Sequence, residues 1–275
     1  MKKARPLGLI CAGPAKNLAF ARLPGVADAL GPVKAPSFRL ASRTTNTMRS
    51  GYPVRHYAEL AECGLLLLCL PDRAVRRVLD DLLRAPIAWS GMGVVVVSAM
   101  LDSSDLQLVG EQGAGVASLF HLEGIPGQRY LAEGDHTVLR ELRSLLPTES
   151  QLVVISPRTK DLCLAGLALA TTALTPIIDT AVECLNGAGL QHRESTALVE
   201  RLMQNTLRGF AKSGRKSWNG PLADKDWAAL HKQLDALAAH DPELGRWFEL
   251  GVRNAIQRMH KGAEWPAGSR RNAAC

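Results

Sequence analysis

The stretch LLLLCLPDRAVRRVLDDLLR, residues 65–84, decides the fold. Its first six residues form an uninterrupted apolar run, which is typical of a strand buried on both faces. After Pro71 the apolar residues recur at helical spacing, which predicts an amphipathic helix. Those residues are Val75, Val78, Leu79 and Leu82. A buried strand followed directly by such a helix is typical of an α/β fold with a parallel sheet.

The same alternation extends through the first half of the chain. A helix is predicted to begin at Pro14, behind the first strand, and another over DHTVLRELRSLL, residues 135–146. The further predicted strands are LGLICA (7–12), FRLAS (38–42), GVVVVS (93–98), residues 116–120 and QLVVI (151–155). We therefore expect a doubly wound parallel sheet over residues 1–157, with helices on both faces.

The pattern changes after Pro157. Residues 159–188 are rich in Ala, Leu and Thr and apolar nearly all round, which predicts a long buried helix that Pro176 kinks or divides. More helices are predicted at 194–210, 224–240 and 243–260. We expect an all-α domain over residues 158–260, followed by a flexible tail over 261–275.

Composition and charge exclude several classes of protein. The 275 residues are 47% hydrophobic and carry a formal net charge of +7, which fits a globular chain and not a disordered one. Much of that charge lies near the two ends, so a basic face for nucleic acid is poorly supported. The six cysteines show no paired metal-ligand spacing, and no apolar run is expected to be long enough to span a bilayer. We expect a cytoplasmic protein without a metal or a membrane partner.

A dinucleotide site is one interpretation of the loop after the first strand. A GxGxxG loop needs glycines for a tight turn and for close approach of the backbone to the pyrophosphate. Here Cys11 and Lys16 occupy the first and third glycine positions, and only Gly13 remains. The predicted pyrophosphate contacts are Ala12, Gly13 and Pro14. The alternative is an ordinary strand–turn–helix junction.

The end of the predicted second strand favours NADP over NAD. Ser42, Arg43 and Thr44 stand where an acid would bind the ribose hydroxyls of NAD, and an Arg with hydroxyl neighbours suits a 2′-phosphate. A solvated turn is the alternative. Leu70, Pro71 and Ser98 end the next strands and are predicted to lie near the nicotinamide. Asp72 follows Pro71 and either lines the same crevice or acts as a helix N-cap, the role that its position favours. His121 follows a strand and could reach the same crevice.

These segments together resemble a known family. They include LGLICAG, LLLLCLPDRAV, GVASLFHLEG, AVECLNGAGL and NGPLADKDWAALHKQLDAL, in this order over about residues 6–256. The chain resembles Rossmann-like NADP oxidoreductases with a helical C-terminal domain of the 6-phosphogluconate-dehydrogenase type. Its subgroup is uncharacterised and lies near ketopantoate reductase and pyrroline-5-carboxylate reductase.

The resemblance implies an N-terminal NADP-binding domain and a helical domain that forms a homodimer. It also implies hydride transfer to a small C=O or C=N substrate in an interdomain cleft. Lys160, His121 or water is expected to deliver the proton. The subgroup's Tyr-His pair aligns with Cys163-Leu164, and its Ser-Asn pair with Thr171-Thr172. Its Arg-Gly-Asp turn aligns with residues 224–226.

Two other functions stay open at this point. Because two glycines and the Tyr-His pair are missing, the chain could be a non-catalytic scaffold that binds a nucleotide or another ligand. The third hypothesis is RNA binding by a basic cluster with a stacking aromatic. That cluster comprises Arg208, Lys212, Arg215, Lys216 and Trp218.

Overall fold

A computed structural model describes residues 5–13, 18–122 and 128–259. Its centre is an eight-stranded sheet in the order β3-β2-β1-β4-β5-β6-β7-β8. All neighbouring strands are parallel except β6 and β7, which pair antiparallel. The strands are β1 Leu7–Cys11, β2 Leu30–Lys34, β3 Tyr52–Pro53, β4 Leu65–Cys69, β5 Gly93–Val97, β6 Gly115–His121, β7 Arg129–Gly134 and β8 Gln151–Val154. The predicted doubly wound α/β class is confirmed.

Alternate residues of the central strands enter two separate cores. In β4, Leu65 and Leu67 pack into one apolar cluster, and Leu66 and Leu68 pack into the other on the opposite face of the sheet. All four side chains are at most 1% exposed. The uninterrupted apolar run therefore arises because both faces of the strand are covered.

Helices cover these faces and form the C-terminal part. They are α1 Pro24–Ala29, α2 Phe38–Met48, α3 Asp72–Arg84, α4 Gln107–Gly110, α5 His136–Leu145, α6 Lys160–Ala170, α7 Leu174–Gly187, α8 His192–Ser213, α9 Trp227–His240 and α10 Pro242–Met259. The helix expected over 159–188 is divided into α6 and α7 by a turn at 171–173, just before Pro176.

The second predicted strand is wrong. FRLAS, residues 38–42, forms the first turns of α2, because the Ser37 side chain caps the helix by accepting a hydrogen bond from the Leu40 amide. The strand in this position is β2, whose sequence LGPVK contains Gly31 and Pro32. Pro32 pairs with Tyr52 of the two-residue edge strand β3.

The region after β1 also differs from expectation. Between residues 18 and 29 the chain forms a 3-10 helix at Phe20–Arg22 and the six-residue α1, rather than one long helix. The predicted start of that helix at Pro14 lies outside the described residues.

Two compact units make up the chain, Met1–Leu167 and Ala168–Cys275. The division falls inside α6, whereas the sequence places a boundary at residue 157, between β8 and α6. The segment Lys160–Gly187 is long and apolar enough to cross a membrane by length and composition, and none of its most apolar window is buried. The expectation that no segment passes this test is therefore wrong. The predicted tail, 261–275, lies outside the described residues.

The acidic turn at residues 220–226 leads into α9. Gly220 and Lys225 have positive φ angles of 74° and 57°, and the Asp226 side chain caps α9 by accepting from the Ala229 amide at 3.0 Å. Lys225 aligns with a glycine in the family that the chain resembles, and glycine adopts this conformation without strain. The turn thus sets the start of α9.

We expect Lys225→Gly to raise the free energy of unfolding by roughly 0.5–1 kcal/mol, because removing strain at the left-handed position outweighs the greater freedom of glycine in the unfolded chain. The urea midpoint, followed by helical circular dichroism, measures the effect. The matched control Lys232→Gly lies inside α9 and should lower stability by about 1 kcal/mol. A destabilised Lys225→Gly variant would contradict the assignment.

Candidate functional site

The loop after β1 lies against the start of α2. Gly13 is buried with φ at 126°, and a Cβ added there would lie 3.1 Å from the Leu40 side chain. Cys11 is fully buried and its thiol donates to the Thr44 hydroxyl, so it points into the core. Ala12 is exposed. Of the predicted pyrophosphate contacts, Ala12 and Gly13 therefore lie in this loop beside α2, while Pro14 lies outside the described residues.

The predicted 2′-phosphate contacts are not at a strand end. Ser42, Arg43 and Thr44 lie in the middle of α2. The Ser42 hydroxyl donates to the Phe38 carbonyl oxygen, and Thr44 is fully buried, with its hydroxyl bonded to the Leu40 carbonyl oxygen. The premise that these residues terminate β2 is wrong, and Thr44 belongs to the core. Arg43 alone is exposed.

The strand end is occupied instead by Lys34 and the segment that leads into α2. Lys34 is the last residue of β2, Ser37 is the exposed cap of α2, and Arg39 is exposed in its first turn. The Phe38–Met48 sequence contains no acidic residue. The end of β2 is therefore cationic, and the helix N-terminus adds its own positive potential.

Two cation–π contacts extend this region. The Lys34 ammonium lies 4.9 Å from the centroid of the Tyr57 ring, and the Arg55 guanidinium lies 4.1 Å from that of Phe38. Burial lowers the pKa of Lys34, and the carboxylate of Asp81 acts in the opposite direction. We call Lys34, Ser37, Arg39 and Arg55 the β2-end cluster.

A cavity of about 310 Å³ lies at the carboxyl ends of β5 and β6. Strand ends of this kind are where open α/β sheets bind ligands. The lining residues are Ala19, Phe20, Asp72, Val97, Ser98, Ala99, Leu119, Phe120, His121 and Tyr130. Of the predicted residues, Ser98 and His121 are brought together here. Leu70 is buried at the end of β4 and Pro71 caps α3, and neither lines this cavity.

Asp72 is not the helix cap that its position predicts. Pro71 is the N-cap of α3, and the Asp72 carboxylate accepts a 2.7 Å hydrogen bond from the Ser98 hydroxyl across the strand ends. The same hydroxyl oxygen accepts from the amides of Met100 and Leu101, at 3.0 Å each. The Ser98 hydroxyl therefore both holds the Asp72 carboxylate in position and closes the turn that follows β5.

Aromatic rings form one wall of the cavity. The Tyr130 ring lies 5.3 Å from Phe20 in an edge-to-face arrangement and 5.1 Å from the His121 ring. Tyr130 comes near His121 because β7 is antiparallel and pairs the two residues in register. Burial raises the pKa of the Tyr130 phenol, which favours its neutral form. Sequence reasoning missed Phe20 and Tyr130; a strand prediction for RYLAEG, residues 129–134, would have found Tyr130.

Lys160 does not line this cavity. It is the first residue of α6, is 2% exposed, and donates from Nζ to the carbonyl oxygens of Ser98 and Leu101 and to the Ser118 hydroxyl. These three acceptors use all the hydrogen-bond donors of the ammonium. Burial lowers its pKa, and the carboxylates of Glu133, Asp102 and Asp72 oppose that shift. The geometry argues against direct proton donation by Lys160.

Residues 129–254 match a family model described as a domain of unknown function, DUF2520. No functionally curated protein matches the chain by sequence.

Solved structures match over almost the whole chain. A Bacteroides fragilis protein named as a candidate NADP oxidoreductase has a TM-score of 0.72 at 15% identity, covering 93% of this chain and 98% of its own. A Myxococcus stipitatus imine reductase in complex with NADP+ has a TM-score of 0.61 at 13% identity, covering 93% and 95%. An Aspergillus terreus reductive aminase in complex with NADPH and ethyl levulinate has a TM-score of 0.57 at 15% identity, covering 95% and 96%.

These likenesses concern the fold, since all identities are low. They agree with the resemblance drawn from the sequence segments, in both the sheet and the helices that follow it. The chain therefore has the fold of the Rossmann-like oxidoreductases with a helical C-terminal domain.

Proposed function

We propose that the chain is an NADP(H)-dependent oxidoreductase that reduces a small, positively charged C=N substrate. The observation that carries the proposal is the cavity at the carboxyl ends of β5 and β6, with one carboxylate and an aromatic wall, at the same edge of the sheet as the β2-end cluster. The named activities of proteins with this fold support the same general chemistry.

The residues present fit NADP(H) better than NAD(H). Lys34 and Arg39 supply positive charge where β2 ends, and Ser37 supplies a hydroxyl at the α2 N-terminus. An acid that would bind both ribose hydroxyls of NAD is absent from the described segment between Leu30 and Met48. The pyrophosphate would pass Ala12 and Gly13, where the loop lies against Leu40 of α2.

The charge of the cavity favours an iminium ion over a carbonyl. Among its described lining residues none is Lys or Arg, and Asp72 is the carboxylate. Aromatic faces and a carboxylate both attract cations. A carbonyl would develop negative charge during reduction and would need a donor or a cation to stabilise it.

The proposed mechanism assigns each side chain a simple task. NADPH, when bound, supplies two electrons and one hydrogen to the C=N carbon, and the C=N π electrons become the amine nitrogen lone pair. The iminium arrives already protonated, so its reduction requires no further proton. Asp72 orients the positive nitrogen, while Phe20, Phe120 and Tyr130 exclude water from the reacting carbon.

The helical C-terminal unit supports the proposal of a homodimer. Among the described residues between 168 and 259, the buried apolar side chains are only Val182, Val199, Leu230, Val252 and Ile256. Large apolar side chains are instead exposed along its helices, including Leu202, Leu207, Phe210 and Leu250. In α6, Leu162 and Leu169 are 75% and 71% exposed. A second copy that covers these faces would supply the core that one copy lacks.

We expect NADPH to raise the melting temperature more than NADH, since the tighter ligand stabilises the folded state more. Arg39→Ala and Lys34→Met should each weaken NADPH binding about tenfold or more, the effect of losing a hydrogen bond to a charged group, and leave NADH binding unchanged. Fluorescence titration measures both affinities, and exposed Arg84→Ala is the control. If Arg43→Ala alone abolished the preference, the site would lie at the middle of α2 instead of at the β2-end cluster.

We expect Asp72→Asn to lower kcat/KM for a cyclic iminium about tenfold, because the amide keeps a hydrogen-bond acceptor for Ser98 but removes the negative charge. Asp80→Asn, on the outer part of α3, is the matched control. NADPH oxidation with iminium and keto-acid panels provides the measurement. Binding of NADPH without turnover of any substrate would favour the non-catalytic scaffold, and a preference for keto acids would contradict the charge argument.

We expect a homodimer by sedimentation velocity at micromolar concentration. Leu169→Glu should shift the chain toward monomer, because burying an unpaired carboxylate in an apolar interface is unfavourable. Glu200→Gln on α8 is the control for a surface change. A monomeric native chain would overturn the dimer proposal without affecting the nucleotide site.

A further inference from the structure

Two oppositely charged side chains are buried beside strands β6 and β7. Glu133 in β7 is fully buried, and Lys160 is 2% exposed. The Ser103 amide and hydroxyl donate to Glu133 at 2.7 and 2.6 Å, and the Ser118 hydroxyl donates to it as well. Lys160 donates to that same Ser118 hydroxyl oxygen at 3.2 Å. Ser118 therefore links the two charges in a fixed direction, from ammonium to hydroxyl to carboxylate.

Neither charge would be stable in this position without the other. A buried ion costs several kcal/mol unless an opposite charge and hydrogen bonds compensate for lost water. Glu133 accepts three hydrogen bonds, and Lys160 donates three. All three donors of the Lys160 ammonium are therefore used in hydrogen bonds within the protein, and none remains for a substrate.

The two remaining acceptors of Lys160 bracket the turn after β5. Its ammonium lies 2.6 Å from the Ser98 carbonyl oxygen and 2.5 Å from that of Leu101. Within this turn, Ser98 and Ala99 line the cavity. The Ser98 hydroxyl donates to the Asp72 carboxylate at 2.7 Å. An unbroken set of contacts thus joins buried Glu133 to the carboxylate that faces the cavity.

We propose that Lys160 and Glu133, bridged by Ser118, form a positioning pair that fixes the 98–101 turn and thereby sets the Asp72 carboxylate for its cationic substrate. Lys160 then acts through Ser98 and Asp72 without touching the substrate. This inference rests on the proposed function for the reaction it serves, but the buried pair can be tested without turnover.

Stability measurements test the pair by itself. Lys160→Met should lower the melting temperature markedly, because it leaves the Glu133 carboxylate buried without a countercharge. Glu133→Gln in the Lys160→Met background should restore part of that loss, so the two changes are non-additive. Lys232→Met, at an exposed position of α9, is the matched control and should leave the melting temperature unchanged. Additive losses in this cycle would overturn the pair even if NADPH binds and turns over normally.

Kinetics on the stable double variant test the positioning role. With Lys160→Met and Glu133→Gln combined, kcat/KM for the iminium should fall up to about tenfold, the loss expected from removing the Asp72 charge itself, while the NADPH dissociation constant changes less than twofold. Asp72→Asn added to this variant should have little further effect, because Asp72 is no longer held in place. Wild-type kcat/KM in the double variant, or an undiminished effect of Asp72→Asn, would overturn positioning.

The same experiments separate the inference from the proposed function. A native chain that neither binds NADPH nor reduces an iminium would refute the proposed function and positioning together. The stability cycle would still decide whether the pair exists. If Lys160→Met alone is too unstable to purify, Glu133→Gln tests the pair in its place. Glu133→Gln should lower the melting temperature, because it leaves Lys160 without its countercharge.

Discussion

Coverage of the sheet on both faces is the constraint from which the rest of the structure follows. Leu66 and Leu68 of β4 point into one core, and Leu65 and Leu67 into the other, so neither face has room for polar chemistry. Polar side chains of the sheet must therefore collect at strand ends or be compensated in the interior. Asp72 and Ser98 lie at strand ends, whereas Glu133, Ser118 and Lys160 are buried and compensate one another through hydrogen bonds.

This constraint explains which strands the sequence could predict. Strands β4 and β5 are apolar at nearly every position, because their neighbours cover both sides, and their bounds were found closely. Strand β2 was missed because Gly31 and Pro32 are unfavourable in strand interiors; Pro32 is tolerated beside the short edge strand β3. FRLAS was misassigned because its apolar residues alternate, whereas the Ser37 cap that starts a helix there is a local polar feature.

The candidate site was predictable only where a strand end itself carries the chemistry. Ser98 and His121 were found because each follows an apolar run, and they do line one cavity. Tyr130 and Glu133 were missed because β7 reads as RYLAEG, with a carboxylate in the middle of a strand. Its compensation comes from Lys160, in another element, and no pattern within β7 reveals it. The sequence predicts a cationic site at the carboxyl end of the second strand. Because that strand is β2 and not FRLAS, Lys34 and not Arg43 lies at its end.

The chain lacks the Tyr-His pair of the family that it resembles, and this limits the proton donors near the site. Cys163 and Leu164 offer no strong proton donor in α6, and Lys160 directs its three donors to Ser98, Leu101 and Ser118. A carbonyl substrate would then depend on His121 or water for its proton. An iminium is already protonated, so its reduction requires only negative charge near its nitrogen and shielding of its carbon from water. The residues that remain, Asp72 and the aromatic wall, provide those two features, so the proposed reduction of a C=N bond does not require the Tyr-His pair of the family that the chain resembles.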